Sequence, residues 1–168
     1  MMLDLVKSND PILKQKTLRF DFEKPQRDPR ELAEILATVM MEHHGVGLAA
    51  PQVGIPLSVF VVGDPMNKES IMAFFNPNIV DMSMKQEYYD EGCLSFPGLF
   101  VSIKRPTMIR LRFTDMNNET TTTKYTGFTA RAIQHEYDHL EGTVFTTKAT
   151  SYHLGKAKKA QKIYQRKS

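Results

Sequence analysis

Hydrophobic positions along the chain change their period several times, and those changes mark the elements. Leu32, Ile35, Leu36, Val39 and Met40 recur at helical spacing. Asp28-Pro29-Arg30-Glu31 stands before them as a start signal, with Asp28 as N-cap, Pro29 in the first turn and Glu31 completing a capping-box-like pair. Gly45 is placed to end this helix. His43 and His44 fall in its last turn, where a positive charge suits the helix dipole, which reads as a structural role. The period then shortens. Ser58 to Val62 is a β-branched and aromatic run that predicts a buried strand. Met72–Phe75 and Ile79–Met82 predict two more, split by Asn76-Pro77-Asn78, and Glu87–Asp90 another. Phe96-Pro97-Gly98 reads as a turn, and Leu99–Lys104 alternates loosely. Thr107–Thr114 alternates cleanly, with Ile109, Leu111 and Phe113 inward and Arg110 and Arg112 outward. Asn117-Asn118 marks a hairpin into Thr120–Thr126. Gly127 then opens a second helix that Gly142 closes, while residues 1–27 read as an irregular arm with at most one short strand. The order predicts an α+β fold: short antiparallel strands packed around a central helix, with an N-terminal helix.

The central helix carries His135-Glu136-Tyr137-Asp138-His139. Two histidines four apart rise about 6 Å along the axis and point to one side, within reach of a single ion. The glutamate next to the first can then act on a water as general base, which is the mechanical content of H-E-x-x-H. At about 100° per residue, His135, His139, Phe128 and Ala132 share one side. Ala130, Ile133, Tyr137 and Leu140 share the opposite side. Arg131, Gln134, Asp138 and Glu141 fill a narrow stripe expected to be solvated. Histidines among apolar groups rather than among charges need a partner, and a metal supplies one.

Composition leaves this picture standing. The chain of 168 residues, 41% hydrophobic and 24% charged, suits one ordinary globular domain over residues 1–168. No apolar run approaches the roughly 18 residues of a membrane span, and Met1-Met2-Leu3-Asp4 lacks the layout of a secretory signal or transit peptide. One cysteine, Cys93, excludes an internal disulfide framework and suits a reducing cytoplasm. The net charge of +3 hides an asymmetry: residues 142–168 hold seven Lys/Arg and no acid. Residues 150–168 are therefore expected as a basic tail or short helix, with Leu154, Ala157, Ala160 or Gln161, and Tyr164 able to stripe one side. Such a segment is a candidate contact for a polyanion.

A catalytic site of this kind wants three protein ligands and an open position. The histidine expected in the long H-E-x-x-H-x-x-G-x-x-H form is replaced by Phe145, and no acid follows Glu141. The third ligand must come from upstream, where Cys93 is the best candidate because thiolates bind borderline divalent metals well. A lone cysteine is also commonly a small buried hydrophobe, and the residues alone leave that open. Gly45-Val46-Gly47-Leu48-Ala49-Ala50-Pro51-Gln52 has the small residues that let a backbone approach something closely, but not the Walker pattern of a phosphate loop.

That stretch, Glu91-Gly92-Cys93-Leu94-Ser95 and the H-E-x-x-H pentad occur in this order and at these separations, and together they closely resemble the three motifs of peptide deformylases. The likeness includes Asn9-Asp10-Pro11-Ile12-Leu13 and covers roughly residues 5–146. The resemblance implies that Cys93, His135 and His139 bind the metal, typically Fe²⁺ with Zn²⁺ or Ni²⁺ able to substitute. It implies Glu136 as general acid/base, with the Gln52 amide and the Leu94 backbone N–H as oxyanion donors. Gly45, Val46 and Gly47 would form the edge on which an N-formylmethionyl peptide lies, to be hydrolysed to formate and a free amino terminus. Val46, Tyr89 and Phe128 would line a methionine-sized pocket, and Glu91 and Arg105 would pair as scaffold. Phe100 stands where several members carry an arginine. Some bacterial relatives use a C-terminal helix at the ribosome, so ribosomal RNA is the partner implied for the basic tail. The rival readings are a zinc metalloendopeptidase and an RNA-binding module with a closed structural metal.

Overall fold

The computed structural model describes residues 3–167; Met1, Met2 and Ser168 of the expected domain lie outside them. The first helix, α1 (Pro29–Glu42), starts as its sequence signals say, because the Asp28 carboxylate accepts from the Arg30 and Glu31 amides. At its other end His44, not Gly45, takes the left-handed conformation, with φ of 57°. Gly45 lies close under Leu94: a Cβ there would fall 2.6 Å from its Cδ1, so the leucine side chain would have to move.

Seven strands follow: β1 (Gly47–Ala49), β2 (Val59–Val62), β3 (Met72–Met82), β4 (Gln86–Cys93), β5 (Phe96–Pro106), β6 (Met108–Thr114) and β7 (Thr120–Thr126). Five form an antiparallel sheet in the order β1-β2-β3-β6-β7, and β4 and β5 form a separate hairpin. Helix α2 (Gly127–Leu140) carries the H-E-x-x-H sequence, and α3 (Ser151–Lys167) ends the described chain.

The unbroken apolar run of β2 is explained by its two covered faces. Val59 and Val61 pack with Leu32, Leu36 and Met40 of α1. Phe60 and Val62 pack with Ala130, Ile133 and Leu140 of α2. Side chains alternate along a strand, so a strand between two helices has no polar side to show. β6 has only one covered face, and Ile109, Leu111 and Phe113 point there while Arg110 and Arg112 are exposed.

Three expectations change in detail. The runs at Met72–Phe75 and Ile79–Met82 belong to one strand, because Asn76 absorbs the break with φ of 49° and a shift in register. Its amide is held in place by accepting from Phe20 N and donating to Phe20 O, each at 2.8 Å. Phe96-Pro97-Gly98 is not the turn. The chain reverses at Leu94-Ser95, where Cys93 pairs with Phe96, and Pro97 and Gly98 (φ of 76°) lie within β5. The N-terminal arm holds one 3-10 turn, Pro11–Lys14, and a single parallel bridge between Leu18 and Leu57 instead of a strand.

The basic tail is a helix. α3 lies along β5, with Ala157 buried against the cluster of Leu99, Val101, Ile103 and Phe145, and Leu154 packed on it. Gln161 Nε2 donates to Pro97 O at 3.1 Å. The cations Lys156, Lys158, Lys159, Lys162 and Arg166 stay exposed.

Candidate active site

Three separate elements deliver the chemistry. α2 presents His135 and His139 one turn apart, with ring centroids 5.3 Å from each other. The end of β4 delivers Cys93, and the 3-10 turn Ala50–Val53 delivers Gln52. Donor atoms of Cys93, His135 and His139 all lie within 4.8 Å of one another, and Cys93 Sγ is 3.3 Å from His139 Nε2. Among the described residues this is the one such cluster, and it holds three donors. His135 Nδ1 is 3.0 Å from Glu91 Oε1, so it donates there and leaves Nε2 for the cluster.

The neighbouring groups are fixed as firmly. Gln52 is buried; its Oε1 accepts from the Ala49 amide at 2.9 Å, which turns Nε2 towards Ser95 Oγ (3.1 Å) and Cys93 Sγ (3.5 Å). Glu136 is buried, and its Oε1 has no hydrogen-bond partner among the described residues. Its other oxygen lies against β1, where a Cβ on Gly47 would come within 2.6 Å of Oε2. Glycine at that position is what lets the carboxylate reach so close to the strand edge.

The electrostatics favour a cation. Burial opposes charge on His135, but the Cys93 sulfur and the Glu136 and Glu91 carboxylates outweigh it and raise the ring to about 10. Burial, with repulsion from His135 and Arg105, lowers His139 to about 3. Burial also pushes the Glu136 carboxyl up to about 7. A thiol, two imidazoles and an unpaired buried carboxylate oxygen are gathered at one point, and the sulfur and carboxylates favour positive charge on its His135 side. This donor set fits a borderline divalent ion with one position left over.

The stripe expected to be solvated is not. Arg131 Nη1 donates to Glu91 Oε2 and Ile103 O (2.6 and 2.9 Å), and its Nη2 to Glu87 O at 2.7 Å. Gln134 is buried, donating to Pro106 O and Ala130 O. Asp138 accepts from Arg105 Nη1 at 2.9 Å; only Glu141 is exposed. The β4–β5 hairpin lies over this side of α2 and brings Glu91 and Arg105, whose Nε and Nη2 donate to the two oxygens of the Glu91 carboxylate. Glu91 is thereby the centre of a buried network that also orients His135.

Glu91 carries a pH dependence. Burial opposes its ionisation, but hydrogen bonds from His135 and Arg105 and the Arg105 charge hold its carboxyl at about 2, against 4.5 as its ordinary value. A depressed carboxyl stabilises the fold fully above its unfolded pKa and loses that contribution as pH falls through the folded one. The expected contribution is about 3 kcal/mol, decaying between about pH 4.5 and 2. Urea unfolding of the parent and Glu91→Gln along that range should show their stability difference shrinking as pH falls. A difference that stays level with pH would show that Glu91 is not the group responsible.

A cavity of about 560 Å³ opens beside the cluster, lined by Gly45, Val46, Gly47, Phe128 and Leu94 among others. Tyr89 is not in its lining; it is largely exposed and lies by Arg131, whose Cζ is 5.8 Å from its ring. Arg131 lines the cavity instead, a residue that helical periodicity had placed among the solvated charges. Its partners come from β4 and β5, so nothing in the local pattern points to it.

Comparison with known proteins gives the family. The sequence profile of the family described as Polypeptide deformylase matches residues 2–154. The chain belongs to that family.

A peptide deformylase of Christiangramia forsetii is 36% identical over 165 residues, covering 90% of this chain and 83% of that protein. The chloroplastic/mitochondrial peptide deformylase 1B of Arabidopsis thaliana is 34% identical over 168 residues, covering 98% and 60%. The crystal structure of a peptide deformylase from Plasmodium falciparum superposes with a TM-score of 0.87 at 31% identity, covering 97% of this chain and 95% of that one. The protein is thus a metal-dependent hydrolase that removes the formyl group from the N-terminal formylmethionine of nascent polypeptides, releasing formate. The endopeptidase alternative is not favoured: the position of its third histidine holds Phe145, buried against the His135 ring at 5.3 Å. Among the described residues no helix is long and apolar enough to cross a membrane.

Proposed function

We propose that Cys93, His135 and His139 hold the metal ion and that Glu136 is the acid/base of the deformylation. The carrying observation is the convergence of three donors from two distant segments beside a buried, unpartnered carboxylate oxygen. The ion is Fe²⁺ in the cell, with Zn²⁺ or Ni²⁺ able to take its place; sulfur with two nitrogens suits all three. When bound, it supplies Lewis acidity and lowers the pKa of water towards neutrality. Glu136 Oε1 takes a proton and later returns it to the leaving amine, a double task suited to a carboxyl raised to about 7. Gln52 Nε2 and the Leu94 N–H donate to the developing oxyanion, and the Ala49 hydrogen bond keeps the Gln52 amide turned the right way. β1 is an edge strand, and Gly45, Val46 and Gly47 present backbone on which the substrate peptide adds as a further strand. Val46 and Phe128 receive the methionine side chain, and Tyr89 contributes from outside, through Arg131.

The deciding assay compares a formyl-methionyl with an acetyl-methionyl peptide on anaerobically prepared, metal-analysed protein. Formate should appear from the first, and neither chain should be cut internally. Internal cleavage of both would return the endopeptidase reading.

The protein works in the cytoplasm as a single catalytic domain, and the exposed cations of α3 are its contact with ribosomal RNA. Co-sedimentation with ribosomes should fall steeply with salt, as counterion release requires. Salt-independent or absent co-sedimentation would remove that contact.

A further inference from the structure

Helix α2 covers one face of β6 and β7, and their other face is open. The register sets Arg110 opposite Lys124 and Arg112 opposite Thr122, with Thr114 opposite Thr120 beyond them. Directly opposed residues share a face, so these six side chains form one surface turned away from α2. On β3, Asn78 stands opposite Arg112 and Asp81 opposite Arg110. A cavity of about 470 Å³ continues the surface from Arg112 to Arg19 and Lys16 of the N-terminal arm. Among the described residues Arg19, Arg110, Arg112 and Lys124 are in no ion pair, and Lys16 has Glu141 at 3.7 Å. Composition does not account for this gathering, because residues 1–141 hold 19 acids against 15 bases. Arg110 and Arg112 are about 7 Å apart along the strand, a ladder for successive negative groups more than for one compact anion. The aromatic rings of β6 and β7, Phe113 and Tyr125, lie on the α2 side. The open face thus has no ring on which an unpaired base would stack, and what it offers is charge for a backbone.

We propose that this face binds the phosphate backbone of double-stranded RNA without regard to base sequence. The source is RNA because the enzyme acts on nascent polypeptides, which emerge beside ribosomal RNA. The contact is separate from α3, which lies along β5. Among the described residues none of β3, β6 or β7 lines the active-site cavity, so formyl peptide and RNA are accommodated together.

The test uses the full chain with Lys156, Lys158, Lys159 and Lys162 replaced by Gln, which removes most of the charge of α3. Fluorescence anisotropy follows binding of a labelled RNA duplex of about 20 base pairs, long enough to span two grooves. Binding should persist in this chain. Adding Arg110→Gln, Arg112→Gln and Lys124→Gln should weaken it at least about tenfold and flatten the plot of log K against log salt by about two. Taking the same charge from elsewhere, by Lys7→Gln, Lys68→Gln and Lys104→Gln, should change it less than about threefold, as should the charge-preserving pair Arg110→Lys and Arg112→Lys. Formate release should stay at its parental rate in each variant and with the duplex bound. Loss of binding once α3 is neutralised overturns this proposal and leaves the α3 contact standing. Equal weakening by the two sets of Gln exchanges overturns it too, as does tighter binding of duplex DNA, a single strand or phosphatidylglycerol vesicles.

Discussion

Glu136→Gln should bind its metal ion as the parent does yet hydrolyse formyl-methionyl peptide at least about a hundredfold more slowly, the usual weight of a positioned acid/base. The substitution is nearly isosteric. It keeps the close approach to Gly47 and removes only the capacity to take and return a proton at Oε1. Burial raises the carboxyl to about 7, so near neutrality the parent group has ready access to both protonation states. An amide has neither. Metal content and single-turnover hydrolysis, measured on one preparation, decide the matter: a variant retaining a substantial fraction of parental turnover would show that the proton travels elsewhere.

Cys93→Ala should abolish activity by a different route. It leaves two imidazoles, which the structure places on one helix, and removes the one proposed ligand that comes from the β4 end. Metal content should drop from about one equivalent to a small fraction of it, and added ion should restore little hydrolysis, since a three-ligand site that loses one donor holds its ion far less tightly. Cys93 lies at the edge of the cluster around Phe96 and Phe145, so the metal-free variant should unfold within a few degrees of the metal-free parent. Elemental analysis alongside thermal unfolding separates lost coordination from lost folding. A variant that keeps one tightly held equivalent would remove Cys93 from the ligand set.

The two substitutions also separate what the protein does with sequence-local and sequence-distant residues. Glu136 sits beside its histidine by helical geometry alone. Cys93 reaches the same place because a two-residue turn ends β4 there, while α2 packs against the sheet and is hydrogen-bonded to the hairpin. The motif order suggested their meeting through the resemblance to the deformylases. The residues alone did not, since a lone cysteine in an apolar segment has the same local pattern whether or not a ligand lies opposite.

Legibility followed range. α1 was readable because its cap, first turn and apolar stripe act within a few residues. β2 was readable because burial on both faces leaves a continuous apolar run. β6 and β7 were readable because one-sided burial and a short polar turn leave an alternating one. The Pro97-Gly98 pair misled because its turn chemistry is real but serves an irregularity within β5, not the reversal of the chain.

By itself, then, the chain's order of residues determined α1, α2 and the strands β2, β6 and β7, the alignment of His135, Glu136 and His139, and the basic character of α3. Only the folded molecule decided that Arg131, Gln134 and Asp138 would be withdrawn from water, that Tyr89 would stand outside the cavity and Arg131 in it, and that α3 would dock along β5. The reason is that periodicity records how each segment is wetted on average. A buried charge instead depends on an opposite charge carried by a remote segment, as Glu91 and Arg105 on the hairpin are for α2, and that pairing leaves no mark on the local pattern.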